Sequence, residues 1–420
     1  MTVGRRIGID RRTLLKSAAA STAAMLAAPR IGRSQGKSIK IGMPTILSGR
    51  VAQLGNSSRN AAMIEVEKVN AAGGLAGHQI ELVVRDSKGQ PQEAARVARE
   101  LVNSDGCEIL LDAEASSGAF AVHEVARDLG VLCLHTNSET SSLTADPKLR
   151  LPHVFRVCRQ GIHDSIAGGA YAASVAKAKN LTKWMTASPD YAYGRDTTGE
   201  FTEYLKHFKP DVEIVGESWP KLFQPDYTEI FTKILQTKPQ ALYSCLWGGD
   251  ITAFIDQGNI YALFAQTETF AVNMADYTAL TAVKNLPRGI HSGNRYIKTF
   301  PRTPENAAWA DAYRAKYNEY PTNWSWQNAT VVQFLAEAAK KANSADGKKL
   351  AEVLKGLTIA SPFGADGKVT LRAEDQTLVG YAVGWGTTIP AEPYVPEMTP
   401  GDWNQIFALE AEWKKKKNFT

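Results

Sequence analysis

From residue 39 onward, short apolar runs alternate with stretches whose apolar positions recur every three or four residues. The runs predict buried strands at 39–44, 80–84, 109–111 and 131–134, and the periodic stretches predict helices at 59–70, 91–103 and 118–129. Ala62, Val66 and Val69 share one helix face, and Gly73-Gly74 stop that helix as a glycine C-cap does. Pro91 opens the next helix, where its missing N–H costs little. Residues 45–56, with Ser48-Gly49 and Gly55, read as a loop. The alternation then repeats: helices at 165–178, 196–207, 227–236 and 251–257, with strands at 183–186, 213–218, 241–246, 270–273 and 289–292. Helices at 304–317, 323–342 and 348–357 follow with no sheet of their own, so they return to the first block. The expectation is an α/β protein of two doubly wound lobes with parallel central sheets. A small ligand belongs between such lobes, at the carboxyl ends of the strands.

The N-terminus changes where this molecule works. Asp10-Arg11-Arg12-Thr13-Leu14-Leu15-Lys16 precedes a weakly apolar, small-residue run from Ala18 to Ala28. A basic segment before a short apolar run is an export signal, and the arginine pair resembles the twin-arginine type. An ordinary Sec signal is the alternative, and either one places the mature protein in the periplasm. The run is about half the length a membrane-spanning helix needs. Cys107 is the first cysteine, so no lipid-bearing cysteine follows the signal.

Charge looks different once that segment is set aside. Of 48 basic and 43 acidic residues, seven and one lie within residues 1–36, leaving 41 and 42 and a net charge of −1. A nucleic-acid partner has no electrostatic support. Roughly 385 mature residues exceed what one hydrophobic core serves, which favours two domains. Cys107, Cys133, Cys158 and Cys245 lie far apart without CxxC spacing, which argues against zinc. Periplasmic oxidation would permit one bridge, although Cys133 reads as a small buried hydrophobe.

Several segments in order resemble branched-chain amino-acid-binding proteins, the type I periplasmic solute-binding components of ABC importers. They are Ile39-Lys40-Ile41-Gly42 with Leu47-Ser48-Gly49 and Val51-Ala52-Gln53-Leu54-Gly55, then Asn70-Ala71-Ala72-Gly73-Gly74-Leu75-Ala76-Gly77. Ala115-Ser116-Ser117-Gly118, Asp190-Tyr191-Ala192-Tyr193-Gly194 and Trp247-Gly248-Gly249-Asp250 complete the set. The resemblance implies three hinge crossings between the lobes. It implies a first lobe of residues 37–158 and 292–370, and a second of 159–291 and 371–420. It also implies a monomer that captures a branched-chain or related amino acid by hinge closure and delivers it to a membrane permease.

The same resemblance points to cleft residues. Ser116 and Ser117 stand at the start of a helix, where hydroxyls and free N–H groups bind a carboxylate or where a serine simply caps the helix. Asn137, Ser138 and Glu139 follow the next strand. Glu139 stands where the family has a threonine, so it turns away from the ligand carboxylate, meets an ammonium or hydroxyl, or is a solvated loop residue. Tyr193, with Tyr191, and Trp247 would cover the apolar part of a ligand or stack on its ammonium; core packing is the alternative for each. Trp247, beside two glycines, is expected at an exposed loop. Leu54 matches a further wall position. The family's ammonium-binding acid is displaced: Met274 takes that place, with Asp276 two residues on and Asp250 or Glu139 as substitutes. That departure leaves open an aromatic carboxylate, a short amide or urea as ligand.

Other functions find less support. The histidines are scattered, and the Gly-x-Ser-x-Gly, His-Glu-x-x-His and phosphate-loop patterns are absent. Catalysis and a cofactor are therefore not expected. A ligand-reading partner of a membrane receptor is the remaining alternative, because the fold also serves sensors.

Overall fold

The computed structural model describes Met1 and residues 38–419, so the export signal, including its arginine pair, lies outside the described residues. The first sheet is wholly parallel, in the order β2-β1-β3-β4-β5. Its strands are β1 (Ser38–Thr45), β2 (Gln79–Asp86), β3 (Ile109–Asp112), β4 (Leu132–His135) and β5 (Val154–Arg156). Every residue of β3, β4 and β5 is buried, as strands covered on both faces require. Three helices make the crossovers: α1 (Ala52–Ala71), α2 (Pro91–Asn103) and α3 (Ser116–Leu129). Gly130 ends α3 in the left-handed conformation, φ 63°, which glycine adopts without strain.

The helix α1 begins seven residues before its expected start, absorbing part of the expected loop. A side chain at Gly55 would stand 1.8 Å from the Ile46 carbonyl oxygen, so glycine is there to let the helix approach the β1 loop. The local signal for a turn was in fact a packing requirement.

The chain then crosses to a second sheet through α4 (Gly161–Lys179), which packs on α5 (Ala192–Phe208). The strands here are β6 (Lys183–Ala187), β7 (Glu213–Ser218), β8 (Ala241–Ser244), β9 (Glu268–Ala271), the two-residue β10 (Ala275–Asp276) and β11 (His291–Tyr296). Helices α6 (Thr228–Thr237), α7 (Gly248–Ile260) and the short α8 (Tyr277–Leu280) lie between them. A second crossing leads to α9 (Pro304–Tyr317) and α10 (Asn323–Ala342), which pack on α1 as expected of helices without their own sheet. Thr322 caps α10 through a reciprocal box with Ser325, satisfying two otherwise orphaned donors.

After α11 (Gly347–Leu354), the strands β12 (Thr358–Ala360), β13 (Lys368–Leu371) and β14 (Leu378–Val379) form a small antiparallel sheet that the sequence pattern did not predict. A third crossing returns the chain to the second sheet as β15 (Gly384–Thr387) and β16 (Met398–Pro400). These two strands make an antiparallel edge beside β11, giving the order β16-β15-β11-β9-β8-β6-β7. The terminal α12 (Trp403–Lys417) packs on α4. The protein is thus an α/β molecule of two lobes with parallel central sheets and three chain crossings, as expected.

Candidate functional site

The carboxyl ends of both parallel sheets meet at one small cavity. Loops after β3 and β4 bring Ala115, Ser116, Asn137 and Glu139; loops after β6 and β8 bring Tyr191, Tyr193, Trp247 and Gly248. Leu54 of α1 also lines it, as do Asn273, Asp276, Thr278, Arg295, Asn323 and Trp324. Eight of the ten residues expected in the cleft therefore share one wall system. Ser117 and Ser138 do not line it; Ser138 instead lies 3.4 Å from the Ser116 hydroxyl and donates to it.

Ser116 is the first residue of α3 and not its cap. Ala115 occupies the cap position and offers no side-chain acceptor. The first amides of α3 therefore keep their N–H groups free of a capping side chain, and the helix dipole adds a partial positive charge. Tyr191 and Trp247 hold the equivalent positions before α5 and α7, again without a side-chain cap. Close packing sets Tyr193: a side chain at Gly194 would stand 1.8 Å from the Pro189 carbonyl oxygen.

Glu139 is neither solvated nor free. It is 6% exposed, and its Oε2 accepts from Arg295 Nη1 at 2.6 Å while Oε1 accepts from Asn323 Nδ2 at 2.7 Å. Arg295, from β11, also donates to Asp164 Oδ2 at 2.9 Å and to the Tyr193 hydroxyl at 3.2 Å. Arg159 pairs with the same Asp164 carboxylate. Burial works against the Arg295 charge, yet Glu139, Tyr193 and Asp164 hold its pKa well above the ordinary value. Two arginines thus match two carboxylates, and Glu139 presents no net repulsion to an anion. Sequence reasoning missed Arg295, which lies 156 positions from Glu139 and beyond the strand expected at 289–292, in the fully buried β11.

Asp276 is different. Its Oδ1 accepts from Thr278 N at 2.9 Å and Oγ1 at 2.6 Å, and its Oδ2 accepts from Asn323 N at 2.6 Å, but no cation pairs with it among the described residues. Burial raises its pKa against those donors. Asp250, the substitute considered from sequence, lies outside the cavity wall and bonds Phe223 N at 2.8 Å.

Trp247 is buried, only 8% exposed, and not at an open loop. Its ring lies 5.8 Å from Trp324 and 5.9 Å from Phe223 between centroids. Tyr191 and Tyr193 stand 6.0 Å apart. At the rim of the same wall Arg50, in the loop after β1, donates to the Phe223 and Gln224 carbonyl oxygens at 3.2 and 2.9 Å, joining the two lobes.

His135 hydrogen-bonds Asp112 at 2.5 Å and His123 at 3.2 Å, wholly within the first lobe and away from the cavity wall. Burial lowers the His135 pKa to about 3, so it is a neutral packed residue. All four cysteines are free and buried. Among the described residues no group of His, Cys, Asp and Glu side chains is placed to hold a metal ion, and no helix is long and apolar enough to cross a membrane.

Two lobes closing a cavity lined by strand ends define a solute-binding protein, and the chain belongs to the periplasmic binding protein family, whose model matches residues 38–383. It is similar to the leucine-, isoleucine-, valine-, threonine- and alanine-binding protein of Pseudomonas aeruginosa, 25% identical over 335 residues, covering 78% of this chain and 84% of that one. The Leu/Ile/Val-binding protein BraC3 of Rhizobium johnstonii is 26% identical over 365 residues, covering 85% and 92%. Two solved structures share the type I fold. One is an ABC-transporter solute-binding protein of Rhodopseudomonas palustris in complex with 3,4-dihydroxybenzoic acid (TM-score 0.78, 21% identity, 87% and 97% coverage). The other is the branched-chain amino-acid transporter substrate-binding protein LivJ of Streptococcus pneumoniae in complex with isoleucine (TM-score 0.74, 22% identity, 87% and 99% coverage). The relatives are solute-binding proteins and not enzymes, and a role in binding small solutes follows for this chain.

Proposed function

We propose that this protein captures a zwitterionic amino acid outside the cytoplasm and hands it to an ABC permease. The charge balance of the cavity carries the reading: Arg295 is ion-paired to Glu139, which leaves Asp276, among the described residues, the one charged wall residue without an ion-pair partner. An α-ammonium supplies that partner and relieves the cost of its burial. The α-carboxylate then rests on the Ser116 hydroxyl and the first amides of α3. Leu54, Tyr191, Tyr193, Trp247 and Trp324 enclose the side chain, while Asn137 and Glu139 hold the polar floor. Ser138, donating to the Ser116 hydroxyl at 3.4 Å, supports it from behind.

The first lobe takes residues 37–158 and 297–370 and the second 159–296 and 371–420: the boundary read from the sequence at 291/292 moves, because β11 (His291–Tyr296) pairs with β9 and β15 in the second sheet. Binding works by hinge closure: a ligand touching both walls binds the closed form better and shifts the population toward it. The protein acts as a monomer in the periplasm, with no cofactor and no nucleic-acid partner.

A second reading, an aromatic carboxylate, draws on the Trp247–Trp324 pair, whose 5.8 Å spacing suits a flat ring against it, and on the dihydroxybenzoate held by the R. palustris protein. Isothermal titration with amino acids and with their counterparts lacking the ammonium separates the two. Amino acids binding far more tightly than the matched carboxylates supports the first; the reverse order overturns it in favour of the second. A ligand-reading partner of a membrane receptor would instead co-purify with a kinase or receptor and not with a permease.

A further inference from the structure

Most polar groups of the aromatic wall are already bound to one another. The Tyr193 hydroxyl sits between Arg295 Nη2 at 3.2 Å and the Asn273 side chain at 3.1 to 3.3 Å. Asn273 Nδ2 also donates to the Cys245 and Leu246 carbonyl oxygens at 2.9 and 3.1 Å. Glu139 and Asp276 have their donors as described. Two donors are exceptions: Arg295 Nε, on a guanidinium whose other two nitrogens are taken, and the Trp247 indole. The indole Nε1 is buried and makes no well-formed hydrogen bond among the described residues, although Trp247 lines the cavity and the Tyr191 hydroxyl lies nearby. Tyr191 is its neighbour in that wall: burial, then the nearby Tyr193 and Cys245, push the Tyr191 pKa well up, and the Trp247 donor pulls the other way.

A buried N–H without an acceptor is costly, and this one stands where the far end of a ligand would lie, beside Trp324 and Phe223. No unpaired cation lines this corner, because Arg295 is committed to Glu139 and Asp164. From this we infer that the solute is not a plain aliphatic amino acid: its apolar body carries an uncharged oxygen acceptor, a hydroxyl, carboxamide or carbonyl, that takes the Trp247 N–H beside the Tyr191 hydroxyl. Trp247 is then a specificity-determining residue as well as a hydrophobic wall. A solute without that oxygen leaves the N–H unpaired, which costs about tenfold in affinity. The inference rests on the solute-binding reading of the same cavity and holds for either ligand class proposed above.

The test uses matched pairs titrated into the full chain: tyrosine with phenylalanine, glutamine with methionine, and 4-hydroxybenzoate with benzoate. The oxygen-bearing member of at least one pair should bind about tenfold tighter or more. Trp247→Phe should erase that preference, so that the two members of the pair bind within about twofold of each other. Tyr191→Phe, which keeps the ring, probes the same corner should the tryptophan variant not fold. Equal or tighter binding of the apolar members, or a preference that survives both substitutions, overturns the inference and leaves solute binding standing. Silence from every compound overturns both.

Discussion

The two walls of the cavity are built from different materials. The loops after β3 and β4 supply Ala115 and Ser116 at the start of α3 and Asn137 and Glu139 beyond β4, all small or polar groups. The loops after β6 and β8 supply Tyr191, Tyr193 and Trp247, three aromatics whose rings define a volume. The contrast separates two tasks. Fixed N–H and hydroxyl donors can hold a charged head in an open molecule, because their strength comes from a short-range dipole already in place. Aromatic faces contribute only when they surround the ligand, since burial of area is the source of their energy. The first wall anchors and the second encloses.

One residue bridges the contrast, and its removal should have the largest effect. Arg295 on the second sheet pairs with Glu139 on the first wall and with Asp164. Arg295→Met strands buried carboxylates on both sides, so urea denaturation should register a loss of about 3 to 5 kcal/mol. A loss under ~1 kcal/mol would show that the two walls are not tied by this pair. Trp247→Ala should come next, weakening the solute by about 1 to 3 kcal/mol through lost aromatic contact, read by titration calorimetry. Its effect should fall on the dissociation rate, as expected of an enclosing wall. Ser116→Ala on the anchoring wall should cost about 1 kcal/mol, and an outcome larger than that of Trp247→Ala would reverse the division of tasks.

The effect confined to a pH window belongs to the rim. Arg50 lies 3.7 Å from Asp250, whose pKa burial raises to about 6. The folded protein therefore binds this proton more readily than the unfolded chain does. Its contribution to stability is full below about pH 4 and is lost as pH rises through about 6. Asp250→Asn should flatten the stability profile across that window, followed by denaturation at a series of pH values. An unchanged slope would place the titrating group elsewhere.

Local pattern carried much of the architecture. The alternation of apolar runs and amphipathic stretches placed the parallel strands and the main helices because burial on both faces leaves a direct imprint on composition, as in the ILLD of β3. It failed where a distant surface set the conformation. Gly55 looked like a loop glycine but serves a close approach inside α1, and the edge strands β15 and β16 pair across long chain separations that leave no period. For the site, strand ends pointed to Ser116, Glu139, Tyr193 and Trp247, since a strand's carboxyl end is where this topology exposes side chains. Asn323 and Trp324 carried no such signal, because they open a helix that reaches the cavity only by packing on α1.

The order of apolar and polar residues determined two parallel-sheet lobes and the loops that face each other between them, because burial is a local demand that each segment answers for itself. Charge pairing was decided only in three dimensions. Glu139 finds Arg295 across 156 positions of chain, and Asp276 has no ion-pair partner among the described residues, because the Coulomb energy of a buried group depends on distance in space and not along the sequence.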